Sequence, residues 1–352
     1  MLKIIKRSAL SAIHAAGLFT RIAESPWRQS RLSILCYHGI SLADEHEWDQ
    51  AFYMSPAAFE RRMALLDRGG YRVLPLGEAL EMLGAGALPP KSIALTFDDG
   101  MSDFYHRAYL ILKKYGFPAT VYLTTYYCHH NLPVFPVFVN YLLWTARDRA
   151  VGPNARLGLE RRTDLNTPEG RHRAWSEITG FAKRNDLSAG AKDELARELA
   201  GELGISYADL ARRRILHIMR PEEVSELAAA GVDFELHTHR HRTPYQRDLF
   251  AREIEDNRKA IQDLTGKPTR HFCYPSGDYH EDSFSWLLDL GVKSATTCNP
   301  GIATRDFHPM VIPRFIDSTS LSLLEFESLL SGASEFLPRR RSSARRSANG
   351  TK

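Results

Sequence analysis

Residues 92–97 (SIALTF) form an apolar and β-branched run that ends abruptly in Asp98-Asp99-Gly100. A short run of this kind, bounded by a turn signal, reads as a strand buried on both faces. A helical pattern follows over 104–115, then the turn Gly116-Phe117-Pro118 and a second strand pattern at 119–124 (ATVYLT). Strand, polar turn and helix repeated in this order restrict the chain to a parallel α/β architecture. In such folds functional groups collect at the carboxyl ends of the strands. The rhythm begins earlier, with a strand at 32–37 (LSILCY) that presents His38 at its end. Ser55-Pro56 opens a helix with Phe59, Met63 and Leu66 at helical spacing, and Gly69-Gly70 stops it. A strand at 71–74 and a helix at 76–83 come next, and further strands are expected at 232–236, 270–274 and 293–297.

The 352 residues, 43% of them apolar, suffice for one large catalytic domain with additions. Residues 31–130 and 214–320 carry the α/β pattern. Residues 131–213, rich in Arg, Glu, Asp and Ala, read as a largely helical insertion at the rim of the site. Residues 1–30 read as an N-terminal amphipathic helix, with Leu2, Ile5, Leu10, Ile13 and Leu18 roughly on one face. That helix either docks on the domain or lies on an acidic membrane surface. Its apolar run is broken by Ser8, Ser11 and His14, so neither a clean signal peptide nor a transmembrane span is expected. Residues 321–352 read as a helix and a basic, disordered tail. Five arginines (Arg339, Arg340, Arg341, Arg345, Arg346) lie in that tail, so the net charge of +4 leaves the rest near neutral and no nucleic-acid partner is expected. The four cysteines, Cys36, Cys128, Cys273 and Cys298, form no CxxC pair and read as free thiols of a reducing compartment.

Three segments carry chemistry. Adjacent carboxylates at a strand end splay to opposite faces, so Asp98 and Asp99 can take different tasks, one holding a cation and one reaching a water. Three histidines alternate in Glu235-Leu236-His237-Thr238-His239-Arg240-His241. His237 and His241, four apart, would face one ion if a helical turn began here, and with Asp99 they form an N,N,O set. His237 with His239 would instead make a His-x-His strand. In the third segment, Pro275-Ser276-Gly277 makes a turn after a strand that can aim a backbone N–H at a reacting centre.

Thr96-Phe97-Asp98-Asp99-Gly100 and His237-Thr238-His239-Arg240-His241 resemble, in this order, the two signature motifs of the polysaccharide deacetylases with NodB homology, carbohydrate esterase family 4. Residues 272–277 resemble the third motif in its permuted branch. The resemblance spans about residues 32–130 and 215–317, and implies a distorted (β/α) barrel that hydrolyses N-acetyl groups of sugars. It implies Asp98 as general base, and Asp99, His237 and His241 as ligands of a divalent metal. Zinc suits that set best, with cobalt and nickel as alternatives. Two departures stand out. Cys273 occupies the position where typical members carry an Arg that pairs with the base; Arg314, in Ile312-Pro313-Arg314-Phe315, is the substitute candidate, expected to follow a short strand. No Leu-x-His-Asp segment occurs near the C-terminus, whereas Cys36-Tyr37-His38-Gly39 precedes Asp98 by 60 residues. That order is similar to the permuted branch that deacetylates poly-N-acetylglucosamine, and it implies His38 as general acid, with the Ser276 N–H as oxyanion donor.

The expected partner is therefore an N-acetylated sugar in a polysaccharide, an oligosaccharide or a lipid-linked glycan precursor, with release of acetate. A deformylase or other sugar amidase, and a non-catalytic carbohydrate-binding relative, are the competing readings. The absence of a clean leader points to cytoplasmic action, with peripheral membrane contact through the N-terminal helix and basic tail.

Overall fold

The computed structural model describes residues 2–336. Eight strands form one sheet: β1 (Ser33–Tyr37), β2 (Arg72–Val73), β3 (Ser92–Phe97), β4 (Thr120–Leu123), β5 (Asp233–Leu236), β6 (His271–Cys273), β7 (Ser294–Thr296) and β8 (Phe315–Ile316). Their order is β7-β6-β5-β4-β3-β1-β8, with β2 joined to the start of β3, and every pairing is parallel. The longest ladder runs from Ser33↔Ile93 to Tyr37↔Phe97. Ile312 bridges to Thr296 of β7 and Phe315 pairs with Leu35 of β1, so residues 312–316 close the sheet into a distorted barrel.

Side chains alternate across the wall, as a period of two requires. Leu35, Leu95, Val121, Phe234 and Phe272 pack against Phe59, Phe104, Leu227, Phe250 and Phe326 of the surrounding helices. Ile34, Ala94, Tyr122 and Cys273 belong to a second cluster that also holds Leu76 and Leu83 of the helix Leu76–Ala85. Continuing that second parity along each strand gives Cys36 and His38 on β1, Thr96 and Asp98 on β3, and Glu235 and His237 on β5. The same alternation that builds the core therefore delivers these polar groups to one end of the barrel.

The insertion is chiefly helical, with helices Phe135–Thr145, Pro168–Arg184, Ala189–Glu202 and Tyr207–Arg212 packed around Phe138, Leu142, Ile178 and Leu199. It also carries a small antiparallel pair, Ala150–Val151 with Thr163–Asp164. The expected single N-terminal helix is broken instead into Leu2–Ala15, Leu18–Ala23 and Pro26–Gln29. Gly17, at φ 68, turns the chain between the first two, and Ser25 caps the third ahead of Pro26. Leu10 packs on Phe19 and Ala333, and His14 lies 3.1 Å from Glu327, so part of the apolar face docks on the domain. The C-terminal helix is Leu323–Ser331, opened by a capping box of Ser322 and Glu325. The basic tail lies outside the described residues. Among those residues no helix is long and apolar enough to cross a membrane.

Candidate active site

Asp98 and Asp99 do face different partners. Asp98 follows the inward parity of β3 and is 2% exposed. Asp99 has φ 69 and Gly100 has φ 79, so the chain turns sharply just past the strand. The left-handed dihedral at position 100 favours glycine, and a side chain there would also run into Leu123 Cδ1.

Arg314 holds Asp98 in a fork. Its Nη1 donates to Oδ1 and its Nη2 to Oδ2, both at 2.7 Å, and the guanidinium is fully buried. Nε donates to the Thr297 carbonyl at 3.1 Å and Nη1 also to Thr96 Oγ1 at 3.1 Å. Cys273 Sγ lies 3.0 Å from Nη2. The small thiol thus stands beside the guanidinium that reaches Asp98 from the segment just before β8. Arg314 immediately precedes β8, whereas the sequence pattern predicts it after a short strand. Burial alone would raise the Asp98 carboxyl, but the charge and hydrogen bonds of Arg314 outweigh it and hold Asp98 well below the usual carboxylate range. His38 Nε2 approaches Asp98 Oδ2 to 3.9 Å, and its ring packs edge-on to Phe52 at 4.7 Å. Burial lowers the His38 pKa against the pull of Asp98 and Asp99.

Asp99, His237 and His241 converge. Both imidazole Nε2 atoms lie 3.1 Å from Asp99 Oδ1, and the three ligand atoms fall within 4.8 Å of one another. His237 Nδ1 is 2.8 Å from the Cys273 carbonyl, which can only accept, so Nδ1 carries the proton and Nε2 keeps its lone pair. Burial opposes ionisation of Asp99, yet the neighbouring His241 and His237 hold its carboxyl well below the ordinary range. This donor set suits a divalent cation: two neutral imidazoles and one carboxylate on one side. Two other groupings, Cys36-His38-Asp98 and Asp98-His237-Cys273, are also close together. Both use Asp98, already engaged by a guanidinium, and burial pushes the Cys36 and Cys273 thiols up. The charge of Arg314 disfavours a second cation there.

The histidine loop is not the helical turn anticipated. After β5 it is irregular; Thr238 (φ 62) and His241 (φ 53) adopt left-handed conformations, and the next helix spans Arg247–Thr265. Buried Glu253 shapes the loop: its carboxylate accepts from the Arg240 N–H and Arg242 Nε, each at 2.7 Å, and its carbonyl from the His239 N–H at 3.0 Å. His239 turns to Thr125 Oγ1 at 2.8 Å, which removes the His-x-His arrangement. Asn257, which the motif reading missed, accepts from the His237 N–H at 2.9 Å and donates to Leu123 O at 2.9 Å and Thr125 Oγ1 at 3.0 Å. Its only sequence signal is a polar residue on the buried face of an amphipathic helix. Ser276 is exposed, with φ 58; the turn's own bonds run from the Gly277 N–H to Tyr274 and from the Asp278 N–H to Pro275. Ser276 and His241 line the same surface pocket, with Tyr245, Tyr279 and His280.

Comparison with known proteins identifies the family and the fold. The family model "Polysaccharide deacetylase" matches residues 85–155 and 177–295. YxkH of Bacillus subtilis (strain 168), itself named as a polysaccharide deacetylase, is 24% identical over 285 residues, covering 79% of this chain and 68% of that protein. The poly-beta-1,6-N-acetyl-D-glucosamine N-deacetylase of Escherichia coli (strain K12) is 30% identical over 117 residues, 33% of this chain but only 17% of the enzyme's length. Two solved structures share the fold. The Streptococcus pyogenes deacetylase PplD, in complex with acetate, has a TM-score of 0.57 at 20% identity and covers 85% of this chain and 98% of its own. IcaB from Ammonifex degensii has a TM-score of 0.53 at 17% identity and covers 86% and 97%. The strand-end Asp pair, the histidine loop and a family match over more than half of its length make this chain a member of the polysaccharide deacetylase family.

Proposed function

We propose that this chain is a metal-dependent N-deacetylase of an acetylated amino sugar, releasing acetate. The supporting observation is the division of labour between neighbouring carboxylates: Asp98 is gripped by Arg314, while Asp99 meets His237 and His241 at 3.1 Å. Asp99, His237 and His241 would hold the cation, which when bound supplies Lewis acidity towards a carbonyl and acidifies a water. Asp98, kept ionised and oriented by Arg314, accepts the proton of the attacking water. The Ser276 N–H donates to the oxyanion of the tetrahedral intermediate, a contact worth about 3 kcal/mol in comparable sites. His38, on the Asp98 side, delivers a proton to the departing sugar nitrogen, without which the C–N bond does not break. Zinc is the expected metal, with cobalt and nickel as alternatives. Cytoplasmic action on a glycan precursor remains part of this reading.

The test is acetate release from N-acetylated sugars with zinc, cobalt or nickel added. Asp98→Asn should keep its metal and lose turnover by at least about a hundredfold, the low end of general-base contributions. His237→Ala should lose the metal itself, measured by elemental analysis. Full turnover in Asp98→Asn would remove the base assignment. Formate rather than acetate in a panel of N-acyl sugars would convert the reading to a deformylase.

A further inference from the structure

Beside the deacetylase site lies a pocket whose charge that reaction leaves unexplained. Its polar lining is His106, Arg107, Arg212, Arg213, Arg214 and Arg220, and no carboxylate lines it. The acids that pair with these cations are not part of the pocket lining. Asp209 pairs with Arg212 and, at 3.4 Å, with Arg213. Buried Glu223 is shared by Arg214 at 3.6 Å, Arg220 at 3.0 Å and His106 at 3.5 Å. The five guanidiniums therefore have two carboxylates between them as ion-pair partners, even with His106 neutral. Arg107 is exposed and has no ion-pair partner among the described residues. Arg214 is the most buried of the five arginines. It is 8% exposed, anchored through Nη2 to Ile218 O at 2.6 Å and through Nη1 to Asn131, yet its buried Nε has no hydrogen-bond partner among the described residues.

The pocket adjoins the catalytic turn. The segment between Arg214 and Arg220 is bonded to the residues just past Asp98 and Asp99: the Met219 N–H donates to Gly100 O at 2.9 Å and the Ser102 N–H to His217 O at 2.8 Å. Arg107 belongs to the helical turn Phe104–Ala108 that follows. Planar guanidiniums match tetrahedral oxyanions, which they bind in paired, charge-assisted contacts. In a 2-acetamido sugar the anomeric carbon is bonded to the carbon that bears the amide, so an anomeric phosphate would lie only a few bonds from the reacting carbonyl. We propose that this pocket binds the phosphate or diphosphate of a glycosyl phosphate, making an N-acetyl sugar activated in that way the substrate. The proposal rests on the deacetylase reading for its sugar, but not for its anion.

Two arms test it. In the first, the full-length chain is freed of metal by a chelator, so that the probe meets protein donors only, and is titrated with inorganic pyrophosphate by calorimetry. Arg107→Gln/Arg213→Gln, which alters two exposed side chains, should weaken binding about tenfold or more, a loss of about 1.4 kcal/mol. In the second arm, acetate release is followed from a nucleoside-diphosphate N-acetyl sugar, a short-chain polyprenyl-diphosphate N-acetyl sugar and a neutral N-acetyl oligosaccharide. The double variant should lower kcat/KM for a diphosphate substrate about tenfold relative to the neutral one, and the arm that responds identifies the carrier. Equal pyrophosphate binding by both proteins, no binding at millimolar probe, or parallel kinetic losses on all three substrates would overturn the proposal. No acetate from any substrate, with pyrophosphate binding still lost in the variant, would fail the deacetylase reading while leaving the anion pocket standing.

Discussion

A single buried ion pair, Arg314 with Asp98, sets the protonation state on which the proposed chemistry depends. Neither partner touches solvent appreciably, so removing one strands the other. Arg314→Leu is expected to destabilise the fold by about 3–5 kcal/mol, read as a lower midpoint in urea. It also has a kinetic signature. Arg314 holds the Asp98 carboxyl low, so its removal raises that pKa and moves the acid limb of the kcat/KM–pH profile to higher pH. The sign for stability is the same. A carboxyl depressed in the folded state stabilises above its unfolded pKa of about 3.9, and that contribution is lost as pH falls through the folded value. An unmoved acid limb in a folded Arg314→Leu protein would show that Asp98 is not the group being titrated. Cys273 is the other half of this arrangement: Cys273→Arg would force a second guanidinium against the first and should not restore the pairing found in typical relatives.

At the scale of elements, the helix Arg247–Thr265 matters more to the histidine loop than any residue inside the loop. Glu253 and Asn257, four apart on one face, pin the loop through the backbone of Arg240 and the side chain of Arg242, and the strand end through the His237 N–H. Asn257 is fully buried and ties β4, β5 and the helix together. Asn257→Ala leaves the His237 N–H and the Leu123 carbonyl unpaired, at about 1–3 kcal/mol for each group so stranded. The expected result is a lower unfolding midpoint together with weaker metal retention under chelator challenge. Normal metal retention with the stability loss alone would make Asn257 a core residue and nothing more. Sequence periodicity predicted this helix's neighbours well but not the conformation before it. The spacing of His237 and His241 suits a helical turn, and only the contacts from Glu253 explain how an irregular loop brings both rings to Asp99.

For the whole molecule, pH also acts through buried groups other than Asp98, Asp99, His237 and His241, in both directions. Burial lowers His217 and His271 to about 4, so each stabilises the fold above its unfolded pKa of about 6.5 and loses that contribution as pH falls towards 4. Each shift corresponds to about 3 kcal/mol. Burial raises Glu235 to about 8 and Asp317 to about 6, and these contributions run the other way, being lost as pH rises through those values. The histidine effect is therefore isolated by comparison: His271→Gln should lose less stability than the parent between pH 6.5 and 4 in urea titrations. Equal acid sensitivity would mean that His271 is not buried neutral. The local pattern of the chain was sufficient to establish the parallel α/β rhythm, the helix stops, and the strand ends that present His38, Asp98, Asp99 and His237. Those features follow from a period of two along each strand and from turn residues a few positions away, which any short window contains. It could not establish that Arg314 reaches Asp98, 216 positions earlier, that Asn257 supports His237, or that Arg107 lines one pocket with Arg212, Arg213, Arg214 and Arg220. Those relations depend on closure of the sheet through residues 312–316 and on the path of the chain back from the insertion. Such long-range contacts arise from packing of the whole barrel, because nothing in the local spacing of two distant residues encodes the distance between them in space.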